Sequence, residues 1–156
     1  MVESSRNKVR KESLITMDKK EILDFITKNP TAYMATVDGD KPRVRAMGTF
    51  RADEDGLVFS MQSPKDVYKQ LLKNPETELC YFTGGVQIRV SGRMQHVTDM
   101  ALRKAIVEKR AFYKPGVEKE GWDYVGIFVL KHGKATVLDM KGPSPVPGAP
   151  KVYIDL

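Results

Sequence analysis

Short alternating segments separated by tight turns constrain the fold of this chain more than any other feature. Asp38-Gly39 separates the alternating segments 32–37 and 43–50, and Asp-Gly is a strong hairpin signal. Turn signals recur at residues 53–56 and at Gly84-Gly85. Because tight turns join neighbouring antiparallel strands, the sequence predicts a mainly β protein with an antiparallel sheet.

Further strands are predicted where apolar and β-branched residues alternate, at residues 57–61, 77–82, 86–97, 124–130 and 135–140. Gly92 lies inside the long segment and predicts a bend there. The last two segments flank residues 131–134 and are predicted to form a hairpin.

Three helices are predicted around these strands. The first begins after Asp18, which with Glu21 resembles a capping box, and it ends at Asn29-Pro30. Ser63 is predicted to cap a second helix with Pro64 at its first position. A third helix is expected over residues 99–111, followed by a loop over residues 113–123. Because helices and strands do not alternate regularly, a small antiparallel barrel with peripheral helices fits better than a doubly wound α/β fold.

The 156 residues suffice for one domain. Residues 1–16 are polar and are interpreted as an N-terminal arm, residues 17–141 as the folded domain, and residues 142–156 as a proline-rich extended tail. No apolar run is long enough for a membrane helix, and the single Cys80 cannot form an internal disulfide. We therefore expect a cytoplasmic protein without a membrane anchor.

Composition also limits the chemistry. His96 and His132 are far apart in sequence, so no metal site is predicted, and neither a P-loop nor a Gly-x-Gly-x-x-Gly motif is present. The chain holds 26 Lys and Arg against 20 Asp and Glu. The aromatic residues fall mainly at core strand positions, which argues against a nucleic-acid surface and favours a small anionic ligand.

Three polar blocks next to predicted strand ends are the candidate ligand contacts. Arg43 and Arg45 share one strand face, where they either meet solvent or hold an anion. Ser63 and Lys65 stand at a helix start, and free backbone N–H groups beside an ammonium favour phosphate. Gln87 offers both a donor and an acceptor to a flat heterocycle.

The joint arrangement of these blocks resembles the FMN-binding split β-barrel family of pyridoxamine 5′-phosphate oxidase, over about residues 17–140. The resemblance is carried by TAYMATVDGDKPRVRAM, GLVFSMQSPKDVYKQLLKNPE and VQIRVSGRMQHV, with a helix before the first and after the last. It implies an antiparallel split β-barrel with peripheral helices, and a homodimer with two FMN sites at the subunit interface.

The resemblance also implies roles for particular residues. Arg43, Val44 and Arg45 correspond to the strand along the flavin, and Gln87 to a glutamine that reaches the flavin from the long strand. Ser60 and Met61 correspond to strand-end contacts with the ring and ribityl chain, and Ser63 and Lys65 to the phosphate site. No catalytic residue is assigned, because the flavin supplies the redox chemistry.

Departures from the family limit what the resemblance implies. Pro64 stands where the oxidase has a second phosphate-site arginine, and the tail lacks the oxidase's Arg-x-His. The sequence thus predicts an FMN-dependent oxidoreductase of unknown substrate, without true pyridoxamine phosphate oxidase activity. The alternatives are a non-catalytic flavin-binding or electron-transfer protein, or a relative that binds a deazaflavin or haem.

Overall fold

A computed structural model describes residues 17–156 of the protein, so the predicted arm at residues 1–16 lies outside the described residues. Nine strands are present in these residues: β1 Thr31–Asp38, β2 Lys41–Asp53, β3 Gly56–Gln62, β4 Glu76–Thr83, β5 Val86–Arg93, β6 Gln95–Val97, β7 Val125–Leu130, β8 Lys134–Asp139 and β9 Ile154–Asp155. The α-helices are α1 Lys19–Lys28, α2 Asp66–Lys73, α3 Met100–Lys109 and α4 Lys114–Glu120, with 3-10 turns at Ala111–Tyr113 and Trp122–Tyr124.

The strands form one antiparallel sheet in the order β6-β7-β3-β2-β1-β4-β5-β8-β9. Strand β2 changes partner along its length: it pairs with β1 from Lys41 to Gly48, and with β3 only from Thr49 to Asp53, across a register shift. The two halves of the sheet diverge at this point, as in a split barrel. The predicted fold class, an antiparallel split β-barrel with peripheral helices, is confirmed.

Two apolar clusters lie on opposite faces of the sheet. The larger fills the barrel, and α1 and α2 contribute to it through Ile22, Ile26 and Leu71. The smaller lies between the other face of β3 and β7 and the α3–α4 region, and it includes Val58, Ile106 and Ile127. Because β3 and β7 contribute to both clusters, residues 56–61 of β3 and all of β7 are buried without alternation.

Local signals predicted the first helix and the turns correctly. Helix α1 begins at Lys19, and the Asp18 carboxylate accepts a hydrogen bond from the Glu21 amide at 2.9 Å. The turns at Gly39 and at Gly84-Gly85 have positive φ angles, which glycine adopts without strain.

The prediction of a final hairpin is wrong. Strand β7 lies between β3 and β6, whereas β8 lies between β5 and β9. Gly133 does not have a positive φ, so the connection is not a tight primed turn. Every residue of Val125–Leu130 is buried, and the strand pairs with β3 on one edge and with β6 on the other.

The single strand predicted over residues 86–97 is divided. Strand β5 ends at Arg93, the Met94 amide donates to the Pro75 carbonyl, and β6 pairs with β7. The bend predicted at Gly92 is close to this break. A Cβ at Gly92 would lie 2.7 Å from Leu130 Cδ1, so the small residue permits close packing there.

Two further expectations change, and one short strand was not predicted. Helix α2 begins at Asp66, because residues 62–65 form a turn in which the Lys65 amide donates to the Gln62 carbonyl; Ser63 therefore caps no helix. The expected loop over residues 113–123 contains α4. The tail ends in β9, which pairs with β8. No helix among residues 17–156 is long and apolar enough to cross a membrane.

We expect Tyr81→Phe to lower the free energy of unfolding by about 1–2 kcal/mol, and the melting temperature by roughly 3–6 °C. The Tyr81 and Thr49 hydroxyls lie 2.6 Å apart in the core, and the variant leaves Thr49 without this partner. Burial raises the pKa of Tyr81.

The stability gained by keeping Tyr81 neutral is complete below its ordinary pKa of roughly 10 and declines as the pH rises above that value. Denaturant unfolding between pH 8 and pH 11 should therefore show a smaller alkaline loss in the phenylalanine variant. An equal loss in both proteins would contradict this assignment. Tyr113, whose pKa burial also raises, contributes equally in both.

Candidate functional site

A groove of about 1190 Å³ lies between β2 and α2, large enough to hold a small organic ligand. It brings together four of the predicted contacts, Arg43, Val44, Arg45 and Lys65. The lining contains five cationic side chains and two carboxylates, a net charge of +3: Arg43, Arg45, Lys65, Lys69, Lys73, Asp38 and Asp66. The groove therefore favours an anionic ligand.

Arg45 is the part-buried arginine of the groove wall. Its Nη1 donates to Thr36 Oγ1 at 2.6 Å and to the Met34 carbonyl at 3.2 Å, and its Nη2 donates to Gln70 Oε1 at 2.7 Å. Thr36 also donates to Gln70 Oε1, at 2.6 Å. Burial lowers the pKa of Arg45, and the Asp66 charge partly opposes this effect. Arg45 thus joins β1, β2 and α2 and shapes the groove.

Arg43 and Lys65 are the more exposed cations of the same groove. Arg43 Nε lies 3.1 Å from Asp38 Oδ2, with about half of each side chain exposed. Lys65 occupies the N-cap position of α2, where no side chain caps the helix. The backbone N–H groups of the first turn therefore remain available next to an ammonium, an arrangement that suits phosphate.

Ser60 and Met61 lie on β3 beyond the last residue that pairs with β2. Phe59 pairs with Thr49, and residues 60–62 pair only with β7. One backbone edge of residues 60–62 is consequently unpaired among the described strands. The Ser60 side chain faces the smaller apolar cluster, where its hydroxyl accepts hydrogen bonds from Arg110 and Tyr113. The contact of Ser60 and Met61 with a flavin stays a prediction.

The remaining predicted residues lie outside the groove lining. Ser63 is half-buried beside Pro64, and its amide donates to the Tyr124 carbonyl at 2.9 Å. Gln87 lines a separate cavity of about 450 Å³ together with Arg89 and the tail. The strand registers place Gln87 on the opposite face of the sheet from Arg43 and Arg45. Within one chain, the structure does not bring Gln87 to the other predicted contacts.

The sheet face that carries Gln87 exposes large apolar side chains. Tyr33 is 52%, Val44 70% and Phe82 51% exposed, and the registers place all three on this face. Cys80 lies among them, and burial raises its pKa, which opposes thiolate formation. We call this surface the outer sheet face.

Three residues near the site were not predicted from the sequence. Gln70 connects α2 to Arg45, and Arg110 and Tyr113 contact Ser60. Arg110 follows α3 and is 50 positions from Ser60, so no local pattern indicates their contact. Gln70 is one helical turn after Asp66, a spacing that places both on the groove side of α2.

The histidines contribute no metal site. Among residues 17–156, no group of three or more His, Cys, Asp or Glu side chains is arranged to hold a metal ion. His96 Nε2 lies 3.1 Å from the Tyr68 hydroxyl and its ring packs on Phe128. His96 therefore joins β6 to α2.

The sequence profile of the pyridoxamine 5′-phosphate oxidase family matches residues 18–121, more than half of the chain. The protein belongs to this family. A search of the curated proteins finds no match.

Several solved structures share the fold of this chain. A NimC/NimA family protein from Clostridium acetobutylicum is 23% identical, with a TM-score of 0.70 over 94% of this chain and 99% of that one. General stress protein 26 from Bacillus anthracis is 18% identical, with a TM-score of 0.62 over 88% and 98% of the two chains. HutZ, a haem storage protein from Vibrio cholerae, is 16% identical, with a TM-score of 0.52 over 73% and 89%. At these identities the likeness concerns the fold alone.

Proposed function

We propose that the protein binds FMN in the groove between β2 and α2 and acts as an FMN-dependent oxidoreductase. One observation carries this proposal: the groove unites Arg43 and Arg45 of β2 with Lys65 at the uncapped N-terminus of α2. An anionic cofactor with a terminal phosphate satisfies both the positive charge and the free helix amides. Family membership supports the same choice of cofactor.

Two further features of the structure suit FMN. The unpaired edge of residues 60–62 offers backbone donors and acceptors to the rim of a heterocycle. Val44, which is 70% exposed and also lines the groove, offers an apolar surface to a ring. Ser63 and Lys65 would lie at the phosphate, and Arg43 and Arg45 along the ring or phosphate.

When bound, FMN would supply the hydride or electron transfer. The protein residues bind and orient it: Lys65 and the α2 amides hold negative charge, and Arg45 keeps β2 and α2 at a fixed separation. The positive lining of the groove favours the binding of negative charge near Arg43. No side chain of the groove is assigned as a general acid or base, and the substrate stays undefined.

We further propose that two copies associate through the outer sheet face, so that Gln87 of one copy reaches the flavin held by the other. Tyr33, Val44 and Phe82 form an apolar surface that a second copy would cover. Gln87 lies on this face together with Val44, and Val44 also lines the groove. Dimerisation would therefore bring Gln87 to the other predicted contacts.

An absorbance spectrum of the purified protein tests the cofactor first, followed by analysis of the compound released by heat. The proposal is supported by absorbance bands near 375 and 450 nm that leave the protein with the released compound, if mass analysis identifies that compound as FMN. Release of a deazaflavin, or a haem Soret band in the spectrum, would identify that cofactor in place of FMN. A colourless protein that does not bind added FMN overturns the flavin function. Turnover with reduced nicotinamide nucleotides then separates an oxidoreductase from a non-catalytic flavin carrier.

We expect Phe82→Asp to convert the dimer to a monomer and to weaken FMN binding by about tenfold, because it places a charge in the apolar contact. Analytical ultracentrifugation and FMN titration measure the two effects. Phe112→Asp is the matched control, since Phe112 is 62% exposed and follows α3. Dimers that persist unchanged in Phe82→Asp would contradict the proposed interface.

A further inference from the structure

Arg110 joins β2 to β3 at the position where these strands separate. Its Nη1 donates to Ser60 Oγ at 2.9 Å, and its Nη2 donates to the Gly48 carbonyl at 3.3 Å. Ser60 belongs to β3 and Gly48 to β2. A single guanidinium therefore contacts both sides of the split.

The strand registers show what this contact replaces. Phe59 pairs with Thr49, so one further step of a regular antiparallel ladder would pair Ser60 with Gly48. Gly48 pairs with Thr31 of β1 on its other edge, and no residue of β3 pairs with it. Arg110 thus occupies the first position at which the β2–β3 ladder is missing, directly beside the unpaired edge of residues 60–62.

The surroundings hold Arg110 in this position. A Cβ on Gly48 would lie 3.3 Å from Arg110 Nη2, so the glycine leaves room for the guanidinium. The Phe50 ring lies 5.4 Å below the guanidinium carbon, within cation–π range. The Tyr113 hydroxyl donates to the same Ser60 oxygen at 3.0 Å. No carboxylate among residues 17–156 forms an ion pair with Arg110.

We propose that Arg110 is a positioning residue that sets the separation of β2 and β3 and so presents the backbone edge of residues 60–62 to the flavin. The inference rests on the proposed FMN function. Arg110 acts through Ser60 and Gly48, not on the reacting atoms. A planar guanidinium with several donors can contact two acceptors at once, whereas a lysine ammonium is a single charged centre.

The experiment compares Arg110→Met and Arg110→Lys with the unchanged protein, each freed of flavin. Hydrogen exchange of peptides covering residues 46–50 and 58–62 measures the protection of the backbone amides where β2 and β3 separate, and it needs no cofactor. FMN titration reports the consequence for the site. We expect about tenfold faster exchange in both peptides and about tenfold weaker FMN binding in Arg110→Met, from the loss of two hydrogen bonds. Arg110→Lys should restore little of either property.

Arg93→Met is the matched control, because Arg93 pairs with Glu76 at the far end of β5 and is largely exposed. Gly48→Ala is a milder second variant that crowds Nη2 while leaving the arginine in place. It should change exchange in the same peptides, in the same direction, by a smaller factor.

The outcomes separate this inference from the proposed function. Faster exchange in Arg110→Met with no FMN binding by any protein supports the positioning role and overturns the flavin. A lower melting temperature with unchanged exchange and unchanged FMN affinity shows a merely structural arginine and overturns the inference. Full rescue of both properties by Arg110→Lys shows that charge alone matters and also overturns it.

Discussion

Lys65→Glu is expected to weaken FMN binding about 100-fold and to leave the fold intact. Lys65 stands at the uncapped N-terminus of α2, where the proposed phosphate would meet free amides. A hydrogen bond to a charged group contributes about 1.5–3 kcal/mol, and the new carboxylate would also repel the phosphate. A loss of about 3 kcal/mol corresponds to about 100-fold in Kd. Fluorescence titration of the flavin-free protein measures the affinity.

The controls for this variant separate local from general charge effects. Lys104→Glu makes the same change on an exposed position of α3, and it should alter Kd less than threefold. Riboflavin, which lacks the phosphate, should bind Lys65→Glu and the unchanged protein about equally. A Kd for FMN within threefold of the unchanged protein would place the phosphate elsewhere.

Gly126→Ala should both destabilise the protein, by about 2–4 kcal/mol, and weaken FMN binding. Gly126 lies in β7, and a Cβ there would approach Tyr68 Cδ2 to 2.5 Å and the Met61 carbonyl oxygen to 3.2 Å. Tyr68 belongs to α2, the helix that carries Lys65 and Gln70. The added methyl group would therefore displace α2 and open the groove. Denaturant unfolding and FMN titration measure the two effects.

A second substitution tests this mechanism. Tyr68→Leu in the Gly126→Ala background removes the ring that the methyl group meets, and it should recover part of the lost stability. Gly142→Ala is the neutral control, since its Cβ would make only one ordinary contact, at 3.6 Å from the Asp139 carbonyl. Equal stability of Gly126→Ala and Gly142→Ala would contradict the close packing of α2 on β7.

Much of the local structure could be predicted from the sequence. The cap at Asp18, the turn at Gly39 and the alternation of Arg43 and Arg45 on one strand face each depend on a few neighbouring residues. A side chain that bonds a backbone amide three residues away, or a glycine with positive φ, carries its signal within that short range. The groove that unites Arg43, Arg45 and Lys65 follows from these elements once they share one barrel.

Long-range pairing could not be predicted in the same way. Residues 131–134 resemble a hairpin connection, but β7 crosses to lie between β3 and β6, where all six of its residues are buried. Residues 86–97 form two strands, because β6 pairs with β7 and β5 with β8. Periodicity shows which face of a strand is apolar and contains no information about which strand will cover it.

The candidate site also combines features that local sequence predicts with features that depend on strand order. The charges of Arg43 and Lys65 were evident from residue type and position, whereas the placement of Gln87 on the opposite face and the contact of Arg110 with Ser60 were not. Both depend on the order of strands in the sheet and on the point at which β2 leaves β3 for β1. Local preference acts over a few residues, while strand order results from burying every apolar face of the chain at once.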